Sequence, residues 1–177
     1  MALHFTWTLS SGGASCELAD GISAKSFTFD YLTDALADLL FGMTALYGPW
    51  RTERFFFDAV STEIRWVLGH PDETTVVLSV YLLEDLAVSL GLPDSAGELA
   101  WRSTHPRAEL THAVLRAAEG VLERHGEDGY RELWQEHPFP MAALQDLRRL
   151  HTTHDACAGH PAPARPVRPS APRTSPP

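Results

Sequence analysis

Three runs of alternating hydrophobicity, over residues 52–58, 62–68 and 74–83, follow one another with connections of only three and five residues. A parallel pair of strands needs a crossover of a dozen or more residues, so connections this short force an antiparallel meander. Ile64, Trp66 and Leu68 define one face of the middle strand, and Val76, Leu78, Val80 and Leu82 define one face of the third. The third strand also carries Val77, Tyr81 and Leu83 on its other face, where its neighbour carries Glu63 and Arg65. Both faces of that strand therefore want cover, from a second helical layer or from a homo-oligomer contact.

Upstream of the meander, Leu3, Phe5, Trp7 and Leu9 alternate with His4, Thr6, Thr8 and Ser10, the pattern of a strand with one buried face. Ser11-Gly12-Gly13 turns the chain into a return strand carrying Cys16 and Leu18, with Asp20-Gly21 as the next turn and residues 23–29 extending or following that strand. Between this hairpin and the meander, Leu32, Leu36, Leu39, Leu40, Met43 and Leu46 trace one face of a helix. Asp30 is placed to cap it and Gly48-Pro49 to stop it. The expectation is an α+β fold of order ββαβββ, one antiparallel sheet of about five strands with an amphipathic helix lying on it.

The C-terminal third reads as helical. Residues 86–103 contain Gly91, Pro93, Asp94, Ser95 and Gly97 and read as a loop. Ser103 or Thr104 is placed to cap a helix starting near Pro106, whose stripe of Leu110, Val114, Ala117 and Val121 runs to a stop at Gly126. A short helix with Leu133 and Trp134 follows, then His137-Pro138-Phe139-Pro140, then a last helix through Met141, Leu144, Leu147 and Leu150. Past residue 155 the composition changes: seven of the last twenty residues are proline and only Val167 is a large apolar residue. Such a segment buries too little surface to offset its chain entropy. One domain over residues 1–155 and a disordered tail over 156–177 are expected.

Three of the 14 Lys and Arg residues and none of the 23 acids lie beyond Cys157, so the first 157 residues carry a net charge of −12 against −9 for the whole chain. Nucleic-acid affinity rests on bases that release counterions, so nucleic acid is not the expected ligand. An acidic field instead draws a basic protein partner. No run approaches the roughly 20 apolar residues of a membrane span, and the N-terminus lacks a secretory pattern; a cytoplasmic location without membrane contact is expected. Cys16 and Cys157 are too few for a disulfide framework, and a domain of this length builds a core without a cofactor.

Candidate sites are sparse. His151, His154 and Cys157 stand at three-residue intervals, with Asp155 beside them. Zinc uses these residue types, but the spacing drifts around a helix and the run falls where the last helix should fray. Asp58, Glu63, Glu84 and Asp85 lie in or at the ends of strands, where acids are usually solvated or paired with an arginine, here Arg54 or Arg65. An enzyme would need a pocket lined by at least two of His4, Glu63, His70, Glu84 and Asp85. Phe55, Phe56 and Phe57 read as core, while Trp50 and Trp101, in loop-like stretches, can mark a contact surface. No phosphate loop, nucleophile elbow or paired-cysteine motif is present.

Residues 29–40 (FDYLTDALADLL), 64–68 (IRWVL) and 129–140 (GYRELWQEHPFP) resemble a group of hypothetical bacterial α+β proteins. That resemblance implies a bacterial origin and a shared fold, and brings no activity or site residues. In size, charge and architecture the chain also resembles small acidic immunity proteins of bacterial toxin systems. The combined expectation is a non-enzymatic protein-binding domain, in its most concrete form a toxin-neutralising one. The alternatives are a small enzyme with a site formed only in three dimensions, or a metal-binding module using His151, His154 and Cys157.

Overall fold

The computed structural model describes residues 3–135, 137–155 and 157; the tail expected over 156–177 falls, apart from Cys157, outside the described residues. The chain is α+β, but its strands form two antiparallel sheets, one of three strands and one of four, in place of the expected single sheet of five. The first sheet joins β1 (His4–Ser10), β2 (Gly13–Ala19) and β3 (Ala24–Asp30) in sequence order. The second joins β4 (Thr52–Ala59), β5 (Thr62–Gly69), β6 (Thr75–Glu84) and β7 (Glu98–Pro106). Between the sheets in sequence lies helix α1 (Ala35–Ala45). After them come α3 (Arg107–Trp134) and α4 (Met141–His154), with two short helical turns, α2 (Leu86–Ser89) and a 3-10 turn (Asp94–Ala96), between β6 and β7.

The meander forms as its connections require, with Phe57 opposite Ile64, and Trp66 opposite Val80. One strand was left open by the sequence reading and another escaped it. Residues 23–29, expected to extend or follow the return strand, follow it: residues 24–30 pair with β2 as a strand of their own. The segment read as a loop before Pro106 contains β7, which pairs antiparallel with β6. The inward face of β7 carries Trp101, Ser103 and His105, all buried, so polar residues blur the alternation that would have revealed it. Because β7 runs to Pro106, neither Ser103 nor Thr104 caps α3; the Ser103 hydroxyl accepts a hydrogen bond from Trp101 Nε1 at 2.9 Å.

The aromatic inner faces of the two sheets meet. Phe29 and Phe57 rings lie 4.7 Å apart, Trp7 meets Phe57 edge-on at 5.8 Å, and Phe5 meets Trp66 edge-on at 6.2 Å. Each large side chain buried here stabilises the fold by about 1.5–3 kcal/mol. The contact explains why the strands divide: two half-buried sheets facing each other bury both aromatic faces, which one flat sheet under a single helix would not.

Helix α1 covers the edge of this core with Leu36, Leu39, Leu40 and Met43. It starts later than expected, so Leu32 is exposed, and Asp30 is not its cap. The Asp30 carboxylate instead accepts from the amides of Leu32 and Val60 at 3.0 and 3.2 Å, tying β3 to the β4–β5 turn. In α3 the expected stop at Gly126 is a break, where the backbone leaves helical geometry at φ 65° and ψ 178°. The second half of α3 is tied to the first hairpin by a hydrogen bond from the Gly12 amide to the Leu133 carbonyl, 3.2 Å. Among the described residues no helix is long and apolar enough to cross a membrane.

Candidate functional sites

The reverse face of β5 holds the first site. Glu63 and Arg65 stand two residues apart and so share a face; both are buried, and Arg65 Nε donates to Glu63 Oε1 at 2.6 Å. The remaining guanidinium nitrogens reach the segment after β6, donating to the carbonyls of Ser89 and Leu92 at 2.8 Å each and to Asp94 Oδ1 at 3.2 Å. Asp94 is also gripped by Arg54 at 2.9 Å. Burial alone would raise the Asp94 carboxyl, but the hydrogen bonds and charges of Arg54 and Arg65 outweigh it and hold it below the ordinary carboxylate value. One buried cation thus shapes residues 89–94, which cover the Glu63–Arg65 end of this face, while Val77 and Tyr81 stay half-buried and line an open cleft with Val67 and Arg102.

The outer side of the same segment is apolar. Val88, Leu90 and Leu92 are 56, 67 and 40% exposed, and the exposed acids Glu84, Asp85 and Glu98 flank them in the chain. Leu92 separates two clefts. One, of about 450 Å³, is lined by Phe56, Arg54, Leu90 and the Glu63–Arg65 pair. The other, of about 410 Å³, is lined by Leu82, Glu84, Ala96 and Glu98.

The second site lies where α3, α4 and the end of α1 meet. The apolar stripe of α4 continues from Leu144 and Leu147 to His151, which is fully buried. The helix end expected to fray is instead closed by Asp155, whose Oδ2 lies 2.9 Å from His151 Nδ1. Arg107 from the start of α3 donates to Asp155 Oδ1 at 2.8 Å, and the Tyr47 hydroxyl donates to Oδ2. Burial would raise the Asp155 carboxyl, but the bonds from Tyr47, Arg107 and His151 and the Arg107 charge hold it low. The Arg107 guanidinium also stacks over the Tyr47 ring, 4.4 Å from its centre.

Beyond Asp155 the chain brings Cys157 back against α3, with Sγ 3.2 Å from His112 Nδ1. His112, His151 and Cys157 each present a ligand atom, and these atoms all lie within 4.8 Å of one another. Of the three residues singled out in the sequence, His151 and Cys157 therefore converge, and His154 does not. His154 instead packs its ring 5.8 Å from that of Tyr47 and lines a polar cleft of about 460 Å³ with Trp50, Arg51, His70 and Arg107. His112 was missed because it flanks the α3 stripe and the residues it meets lie far along the chain, Cys157 45 positions away. A helical period of 3.6 carried past Leu147 points to residue 151, and that signal was legible.

The other nominated residues do not assemble into a site. His4, Glu84 and Asp85 are exposed. Among the clefts described, Glu63, His70 and Glu84 line separate ones. Glu63 follows the expected pairing with Arg65. Phe57 is core, Phe55 stacks on Trp66 at 5.8 Å, and Phe56 opens onto the cleft beside Glu63. Trp101 is buried, while Trp50 is 68% exposed.

Compared with known proteins, the chain matches no family model, no curated protein and no solved structure.

Proposed function

We propose that this chain is a protein-binding domain whose contact face is the segment over residues 84–99, taking a basic, partly apolar stretch of a partner protein. The observation that supports this reading most is the use of a buried guanidinium to hold an exposed apolar segment in one shape. A segment already ordered before contact loses little conformational entropy on binding, and adjacent exposed Val88, Leu90 and Leu92 are the composition of an interface centre. Glu84, Asp85 and Glu98 around them, on a domain of net charge −12 over its first 157 residues, favour a basic partner and speed its approach. Neutralising a toxin is the most concrete form of this role.

The test is a complex between the purified full chain and the basic product of a neighbouring gene encoding a larger secreted protein. Binding should weaken with salt and be lost in Leu90→Glu/Leu92→Glu, while the thermal midpoint of the variant stays near that of the parent. Equal binding by the variant, or binding indifferent to salt, would remove this face from the role.

A further inference from the structure

We infer that His112, His151 and Cys157 form a zinc site at the junction of α3 and α4. Tetrahedral zinc with Zn–N of about 2.0–2.1 Å and Zn–S of about 2.3 Å sets its ligand atoms about 3.3–3.6 Å apart. The His112–Cys157 separation of 3.2 Å would have to open by about 0.4 Å to reach the N–S value, and the 4.8 Å limit on the whole set leaves at most roughly an ångström of closure. Two imidazoles and a thiolate are a borderline-soft donor set that suits zinc better than magnesium or calcium, which demand oxygen.

A second observation points the same way. A histidine that ligates a metal almost always gives its other ring nitrogen to a carboxylate, a backbone carbonyl or a water, which fixes tautomer and orientation. His151 has this arrangement: Nδ1 is engaged by Asp155, which is itself clamped by Arg107 and Tyr47, so zinc would be taken through Nε2. A hydrogen bond between Cys157 and His112 would account for their distance alone. It does not account for a buried histidine oriented by a triply held carboxylate so close to both.

Three protein ligands leave a fourth position for water or for an atom of a bound molecule, the stoichiometry of zinc sites that do chemistry as distinct from closed structural ones. The ligands come from α3, α4 and the stretch past α4, so the ion would also tie the C-terminal end of the domain to its centre.

The experiment uses the full chain, stripped of metal and titrated with zinc alone, then with cobalt as a spectroscopic probe. One zinc per chain, a cobalt spectrum with thiolate charge-transfer absorption, and a zinc-dependent rise in thermal midpoint are expected. Asp155→Asn should weaken zinc by roughly 10–100-fold, as loss of an orienting carboxylate does, and Cys157→Ser and His112→Ala at least as much. His154→Ala should bind as the parent does, which separates this site from the evenly spaced triad of the sequence. Because His151 is fully buried, its variants can fail to fold, and the partly exposed His112 and Cys157 carry the test. Absence of stoichiometric zinc, undiminished binding in Cys157→Ser and His112→Ala, or a cobalt spectrum without sulfur would overturn the site.

Discussion

Arg65 Nε lies 2.6 Å from Glu63 Oε1, and the two side chains are 8 and 1% exposed. A charge pair this enclosed offsets its desolvation only while both members stay in place. Arg65→Met is expected to cost about 3–5 kcal/mol, because it strands a buried carboxylate and frees the carbonyls of Ser89 and Leu92. Glu63→Gln keeps an acceptor for Nε and should cost only about 1–2 kcal/mol. Urea unfolding measures both, and hydrogen exchange over residues 86–97 should rise in the arginine variant first. An unchanged urea midpoint for Arg65→Met would show that the segment is held by other means.

Gly42 in α1 faces Phe55, and a Cβ added there would sit 2.3 Å from two ring carbons. Helix propensity alone predicts that Gly42→Ala gains up to about 1 kcal/mol. The Phe55 ring is stacked on Trp66 and cannot withdraw freely, so overpacking should reverse the sign and leave a net loss of about 1–3 kcal/mol. Adding Phe55→Leu to Gly42→Ala should restore part of the loss; additive losses in the double variant would count against the clash.

Val60, at the β4–β5 turn, has φ 61° and is 86% exposed. A β-branched side chain in the left-handed region is strained, and here no packing compensates. Val60→Asn tolerates that backbone and leaves the amide hydrogen bond to Asp30 in place, so it should raise stability by about 1 kcal/mol. A thermal midpoint at or below that of the parent would count against strain at this turn.

Asp38 is pushed up from 3.8 to about 6, first by burial, then by the charges of Asp34, which precedes the helix, and Asp58 on β4, with His137 opposing. A native carboxyl with a raised pKa binds its proton where the unfolded chain does not, so its contribution favours folding below pH 4 and is lost as pH rises through 6. Asp38→Asn should therefore stabilise the protein at pH 7 by on the order of 2 kcal/mol and lose that advantage by pH 4. Unfolding free energies of parent and variant across pH 3.5–7.5 check this, and parallel curves would refute it.

The strands of the meander, the first hairpin, α1 and the break at Gly126 were legible because each rests on a local signal: alternation, helical spacing, or a residue suited to an unusual backbone. The division into two sheets was not legible, since any edge strand offers the same unpaired amides and carbonyls. Which edges pair is settled by Phe29 meeting Phe57 and Trp7 meeting Phe57 across the core. β7 was hidden for a related reason: Ser103 and His105 point inward as polar residues whose burial only their surroundings permit.

The candidate sites divide along the same line. Composition alone shows an acidic domain, and the pairing of Glu63 with Arg65 follows from two residues sharing a strand face. That Arg65 reaches Ser89, Leu92 and Asp94 and so holds an apolar segment outward is a tertiary fact, because no short-range rule brings residues 24–29 positions apart together. His112 and Cys157 stand 45 residues apart and meet only once α4 has packed against α3. Chain-local chemistry decides which elements form and which groups must find partners; the packing of those elements decides who the partners are, because burial rewards contacts without regard to their separation in the chain.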